Sequence, residues 1–144
     1  MIELSSDVRA VIESGKLAHF TTINKDRSPH TTIVWVGLDG DEIVIGKLAV
    51  DRKVRNLRRD PRCTFSMEAD GEQMGMRNYL VVEGTARVEA GGAAEWLQRL
   101  AYRYVAPDVT FPPMPNPPEG FLIRITPRLV RGMGPWGTQF GGST

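Results

Sequence analysis

The most informative stretch of the chain is residues 51–62, which read Asp51-Arg52-Lys53-Val54-Arg55-Asn56-Leu57-Arg58-Arg59-Asp60-Pro61-Arg62. Asp51 is a suitable helix N-cap, and Val54 and Leu57 are spaced to share one helix face. Pro61 disfavours helical geometry at the residue before it, so the helix should end near Asp60. The stretch therefore predicts a short helix with one apolar face and otherwise basic faces.

The start of this helix predicts an anion site. Its free backbone N–H groups and the positive end of the helix dipole favour a phosphate, and Arg52 and Lys53 add charge-assisted hydrogen bonds. A solvated basic helix face explains the same composition equally well. Nucleic-acid binding is the weakest interpretation, because no basic stripe with stacking aromatics continues elsewhere and the net charge is only +1.

Outward from this helix, the chain alternates between β-rich runs and a few helical patterns. Ser5 to Gly15 and Ala93 to Val105 have helical spacing, and Ser5, Ser6 and Asp7 offer capping oxygens for the first helix. Gly84 inside a long strand predicts a bulge or a close backbone approach. Six strands beside three helices favour a mainly β protein, an antiparallel β-barrel with peripheral helices. The predicted strands are residues 17–23, 30–38, 42–46, 62–68, 79–90 and 121–131.

The remaining segments predict connections. Residues 69–77 form a loop, the proline-rich residues 107–118 form a stiff connection, and the glycine-rich residues 132–144 form an extended C-terminal arm. The length of 144 residues predicts a single domain over 1–144. No secretory signal is visible and Cys63 is the one cysteine, so we expect a cytoplasmic protein that binds neither membrane nor nucleic acid.

The sequence offers weak grounds for a conventional catalytic or metal site. His19 and His30 lie on predicted strands with no acidic or cysteine residue at a telling spacing. Neither a dinucleotide-binding nor a P-loop glycine pattern is present. We therefore predict no metal and no catalytic side chain.

The order of elements and the 53–62 run resemble the pyridoxamine-phosphate-oxidase-like split-barrel superfamily, and most closely its actinobacterial branch of deazaflavin (coenzyme F-420)-dependent oxidoreductases. The resemblance also covers residues 17–22, the turn at 28–30, Trp35 and the strand segment 83–86. It implies a six-stranded antiparallel FMN-binding split barrel. It also implies a homodimer with the cofactor in a groove between the subunits.

The resemblance further implies cofactor-binding residues. Lys53 matches the family position that binds the cofactor phosphate, and Asn56 matches the asparagine of the same motif. Relatives often carry a second cation two positions before the lysine, where this chain has Asp51, so Arg52 would have to substitute for it. The ring is lined by the second and third strands, through Thr31, Thr32, Ile33, Val34, Trp35, Ile45, Gly46 and Lys47. A position in the barrel interior is at least as good an interpretation for Ile33 and Ile45.

These observations lead to a functional hypothesis. The protein is expected to transfer a hydride from reduced coenzyme F-420 to an unsaturated small molecule, with the cofactor itself carrying the chemistry. Arg55, Arg58 and Arg59 are candidates to meet the acidic tail of that cofactor. Trp136 is a candidate aromatic cover donated by the partner subunit, and loose packing on the surface is an equally good interpretation of it. The alternatives are an FMN-binding oxidase or reductase of the same fold, and a non-catalytic carrier of flavin or haem. A haem would have only His19 or His30 as an axial ligand.

Overall fold

The computed structural model describes residues 2–137. Residues 138–144 of the predicted arm lie outside this range. Within it, three helices accompany seven strands: α1 Ser6–Ile12, β1 Ala18–Ile23, β2 Pro29–Val34, β3 Gly37–Asp39, β4 Glu42–Lys47, α2 Arg52–Arg59, β5 Arg62–Gln73, β6 Met76–Ala90, α3 Ala93–Tyr104 and β7 Phe121–Met133. In these residues no helix is long and apolar enough to cross a membrane.

The strands form a single sheet in the order β2-β1-β5-β6-β7-β4-β3, and every neighbouring pair is antiparallel. Alternate side chains from strands spread across the whole order, among them Phe20, Val34, Ile45, Phe65 and Ile123, meet in one buried cluster. Residues from opposite ends of a flat sheet could not meet, so the sheet curls around its core. This confirms the predicted mainly β architecture with helices at its periphery.

The strand count is seven rather than the predicted six, because the run at residues 30–38 is interrupted at Trp35 and Val36. The Tyr104 hydroxyl accepts a hydrogen bond from the Val36 amide at 3.1 Å and donates one to the carbonyl of Lys16 at 2.8 Å. Val36 thus bonds to a helix side chain instead of a strand, and the chain turns to pair β3 with β4. A contact from α3, distant in sequence, decides this break.

The prediction of a loop at residues 69–77 was also wrong, because the loop is much shorter. β5 and β6 continue through most of it, with a change of register between Glu68 and Glu72, and only Met74 and Gly75 form the turn. Both turn residues have positive φ, at 50° and 81°, which is the geometry of a two-residue hairpin turn matched to strand twist. Met74 tolerates this conformation at an exposed tip, and its residue type gave no turn signal.

Several local predictions are confirmed. Ser5 and Asp51 cap α1 and α2 by accepting hydrogen bonds from the amides of Val8 and Val54. The register of β6 with β7 shifts at Gly84, where a Cβ would lie 2.3 Å from the Thr126 carbonyl oxygen. The predicted bulge therefore reflects a close backbone approach.

Helix α3 packs on the outer face of β4, where Trp96, Leu100, Val44 and Leu122 form a second, smaller core. The Trp96 indole N–H donates to the Val44 carbonyl at 3.1 Å. A Cβ at Gly46 would lie 3.0 Å from the Leu97 side chain, so this glycine permits the close approach of helix and strand. The packing places α3 and the segment after it beside one end of β2 and β4.

Candidate functional site

A groove of about 480 Å³ opens where the ends of β2 and β4 meet the start of α2, α3 and the proline-rich segment. We call it the main groove. One part of its wall is apolar and aromatic, and the opposite part carries charged side chains. Its lining residues are Leu17, Ile33, Val34, Trp35, Ile45, Gly46, Lys47, Leu48, Ala49, Asp51, Lys53, Leu97 and Phe111.

The aromatic wall is built by residues that support one another. The Trp35 ring stacks on Tyr104 with centroids 5.2 Å apart and planes 8° from parallel, and Phe111 lies 5.1 Å from Trp35. The Phe111 amide donates to Gln98 Oε1 at 2.8 Å, which ties the proline-rich segment to α3. Such contacts hold a flat apolar surface in place before any ligand arrives, which favours binding of a planar ring.

The charged wall is an ion cluster around Asp51. The Asp51 Oδ2 atom lies 2.7 Å from Lys53 Nζ and 3.0 Å from Lys47 Nζ. Its Oδ1 atom accepts the Val54 amide of the helix N-terminus at 3.2 Å. The side chain of Lys53 is only 6% exposed, so its ammonium group is held at the base of the groove. Two cations and a helix N-terminus are therefore concentrated at one position.

The electrostatics of this cluster follow from burial and hydrogen bonding. Burial disfavours the Asp51 carboxylate, but hydrogen bonds from Lys53, Lys47 and the Val54 amide outweigh it and lower the pKa of Asp51 to about 2. The pKa of Lys53 is lowered mainly because burial disfavours its ammonium form, although Asp51 opposes that effect. An additional anion beside Lys53 would stabilise the ammonium form that burial disfavours.

The structure brings half of the predicted site residues into the main groove. Ile33 is 59% exposed and so does not lie in the barrel interior, whereas Ile45 is 2% exposed and belongs to both core and groove wall. Thr31 and Thr32 are not brought to it: Thr31 Oγ1 lies 2.8 Å from Thr21 Oγ1, and Thr32 Oγ1 is buried without a partner among the described residues. The predicted residues that line the main groove are Ile33, Val34, Trp35, Ile45, Gly46, Lys47 and Lys53.

Four other predicted residues of α2 line a different depression, also of about 480 Å³, which we call the basic groove. It lies between α2 and the β1–β2 turn. Its lining combines four cations with polar side chains and one carboxylate. The lining residues are Asn24, Lys25, Asp26, Ser28, Arg52, Arg55, Asn56 and Arg59.

Two residues of the basic groove also dock the helix. Asn56 is 3% exposed, and its amide donates to Thr22 Oγ1 and Asn24 Oδ1, both at 3.0 Å. Arg59 donates to the Ile23 carbonyl and, at 3.1 Å, to Asn56 Oδ1. Asn56 therefore has an internal role that the motif alone does not reveal, and Arg59 is less available to a ligand than Arg52 or Arg55.

Four further predicted residues lie away from the main groove. Arg58 does not share the basic groove with Arg55, since its guanidinium lies 5.4 Å from the Phe121 ring centroid. Trp136 donates its indole N–H to the Tyr79 carbonyl at 2.9 Å and packs on the core of its own chain. Its assignment as a cover for the partner's cofactor stays a prediction. His19 and His30, the haem-ligand candidates, do not line the main groove.

Sequence reasoning missed several groove residues. Leu97 lies within the predicted helix at residues 93–105, and Asp51 is predicted as a helix cap. Phe111 is an aromatic residue within a proline-rich segment, a combination that could have indicated a rigid wall. Leu17, Leu48 and Ala49 carry no distinguishing signal.

Cys63 is buried and its pKa is raised to about 12 by that burial, which agrees with a core position.

Comparison with known proteins gives the family context of this geometry. The family model described as pyridoxamine 5'-phosphate oxidase matches residues 4–134. A solved F420 reductase superposes with a TM-score of 0.70 at 19% identity, covering 88% of this chain and 98% of that one. The conserved hypothetical protein Rv2991 from Mycobacterium tuberculosis gives a TM-score of 0.69 at 25% identity, covering 92% of this chain and 85% of that one.

An FMN-binding protein from Syntrophomonas wolfei shares the same fold, with a TM-score of 0.62 at 14% identity over 89% of this chain and 84% of that one. At 19% and 14% identity, the F420 reductase and the FMN-binding protein are likenesses of fold. The fold thus accommodates proteins with different cofactors, and residues of the groove must distinguish among them.

Proposed function

This chain belongs to the pyridoxamine 5'-phosphate oxidase family, and from that membership we propose that it is an oxidoreductase that binds a flavin-type cofactor in the main groove, with coenzyme F-420 as that cofactor. The observation that carries the proposal is the pairing, in one groove, of an aromatic wall with a buried lysine cluster. A flavin-type cofactor has the matching halves, a planar ring and a phosphate.

The residues present fit such a cofactor. Ile33 is exposed on the groove wall although it is a large apolar side chain, and Trp35 and Phe111 extend that apolar surface. Covering them with a ring would remove apolar area from water. At the other end, Lys53 and Lys47 would hold the phosphate beside the helix N-terminus. The ring would then lie along β2 and the phosphate at the start of α2.

In this arrangement the protein acts by binding and exclusion. When bound, a reduced deazaflavin would supply the hydride for an unsaturated small molecule. Trp35, held by Tyr104, and Phe111, held by Gln98, fix the orientation of the ring and exclude water from its covered face. Lys47 and Lys53 anchor the opposite end.

The basic groove supports the deazaflavin rather than FMN. Arg52 follows Asp51 directly in the chain and lines the basic groove with Arg55 and Lys25, while Asp51 lines the main groove. A cofactor whose phosphate bears a further acidic tail could extend from Lys53 toward these cations. FMN ends at its phosphate and would leave the basic groove without a ligand. FMN remains the second candidate, because an FMN-binding protein has the same fold.

Titration of the purified protein with FMN and with glutamylated coenzyme F-420, at low and high salt, tests the proposal. We expect tighter binding of coenzyme F-420, weakened by salt and by the Arg52→Ala, Arg55→Ala double substitution. Arg77→Ala, an exposed arginine of the β5–β6 hairpin, is the matched control. Tighter binding of FMN, insensitive to salt and to the double substitution, would assign the protein to the FMN alternative.

A further inference from the structure

We propose that Asp51 makes the phosphate end of the main groove selective for a phosphodiester over a phosphomonoester. This inference rests on the function proposed above, since it assigns the ligand chemistry of the same groove. It gives the helix cap of α2 a second role, in ligand selection.

The geometry shows an anion already present among the cations. Asp51 is bound by three donors, namely Lys53 Nζ at 2.7 Å, Lys47 Nζ at 3.0 Å and the Val54 amide at 3.2 Å. Those groups are also the ones a phosphate at this helix start would use. The Asp51 side chain cannot move away from the lysines without breaking the helix cap that its other oxygen makes. An incoming phosphate must therefore share the lysines with the carboxylate.

The charge balance then decides which phosphate fits. Among the residues that line the main groove, the charged ones are Lys47, Asp51 and Lys53, from β4 and the start of α2. The net charge of these three side chains is therefore +1. A phosphodiester brings a single negative charge, whereas a phosphomonoester carries about 1.5 to 2 negative charges at neutral pH. The second charge of a monoester would face the Asp51 carboxylate and be repelled.

The two candidate cofactors differ in the chemistry of their phosphate. FMN is a phosphomonoester, whereas the phosphate of coenzyme F-420 is esterified on both sides, to the ribityl chain and to the lactyl unit. Selectivity would therefore arise at the phosphate itself, independently of the acidic tail and of the ring. The basic groove and Asp51 would act in the same direction through different contacts.

Three probes that share one ring isolate this effect: 8-hydroxy-5-deazariboflavin, its 5'-phosphate and the methyl ester of that phosphate. Each is titrated into the full-length protein and followed by the fluorescence of the ring, at pH 8 and pH 5. At pH 8 we expect the methyl diester to bind about tenfold more tightly than the monoester. At pH 5 the monoester has gained a proton, since its second pKa is about 6, and the difference should largely disappear. The probe without phosphate corrects for titration of the ring.

The decisive variant is Asp51→Asn. Asparagine is an equally good helix N-cap, so α2 should persist, and a thermal melt checks that it does. We expect the preference for the diester at pH 8 to be lost or reversed in this variant. Asp60→Asn removes the same charge from the other end of α2 and should leave the preference unchanged.

The outcomes are distinguishable. Equal binding of monoester and diester to the wild-type protein at both pH values, or an unchanged preference in Asp51→Asn, would overturn the role of Asp51 while leaving the cofactor proposal intact. If none of the three probes binds, the main groove does not hold this ring, and the proposed function fails together with the inference. A preference that disappears in Asp51→Asn and persists in Asp60→Asn supports the assignment.

Discussion

Lys53 is buried with Asp51 and Lys47 as its charged neighbours, which makes it the residue most sensitive to an added anion. Replacing it by alanine should weaken cofactor binding by about 1.5 to 3 kcal/mol, the worth of a hydrogen bond to a charged group. Thermal stability should change little, because Asp51 keeps Lys47 and the helix amide as partners. Calorimetric titration and a thermal melt measure the two effects. Unchanged cofactor affinity would show that α2 does not anchor the phosphate.

Asp51 also predicts a pH dependence of stability. Its pKa is about 2 in the folded chain, below its ordinary value of 3.8. Because its pKa is lower in the folded state, ionised Asp51 increases the free energy of unfolding at pH values above its unfolded pKa. That contribution is lost as the pH falls from about 4 toward 2. The stability difference between wild type and Asp51→Asn should therefore be larger at pH 6 than at pH 2.5. Urea unfolding at both pH values measures it, and a difference independent of pH would contradict the ion cluster.

At the scale of elements, the docking of α2 on the β1–β2 hairpin depends on one buried amide. Asn56 donates to Thr22, which is fully buried, and to Asn24. Asn56→Ala should destabilise the fold by about 1 to 3 kcal/mol, because Thr22 then loses its buried partner. Arg55→Ala, exposed on the same helix, is the control. Chemical denaturation gives both values, and equal stability of the two variants would leave Asn56 with a role only in ligand binding.

At the scale of the whole molecule, the exposed apolar residues around the main groove bear on assembly. Ile33 is 59% and Leu17 49% exposed, and both line the groove. We predict that a second copy covers this face in a homodimer, which would close the groove between subunits. Val36 is fully buried in its own chain, so Trp35 and its exposed neighbours would form the seam. Sedimentation equilibrium at micromolar concentration tests this, and a stable monomer would count against an interfacial cofactor site.

The amino-acid sequence by itself determined the features that depend on neighbours along the chain. Helix caps at Ser5 and Asp51, the bulge at Gly84 and the basic helix before Pro61 follow from local backbone and side-chain chemistry. These features are local, so the pattern of residues was sufficient. The groove residues of β2 and β4 were implied by the resemblance to the split-barrel superfamily and not by a local pattern.

Only the tertiary structure decided which distant residues share an environment. Tyr104 divides the predicted second strand at Val36, and Phe111 lies beside Trp35 in the groove wall although the two are far apart in the chain. The same packing turns Asn56 inward, separates the basic groove from the main groove, and places Asp51 between two lysines. Such contacts depend on how elements pack in three dimensions, which no spacing within a single element encodes.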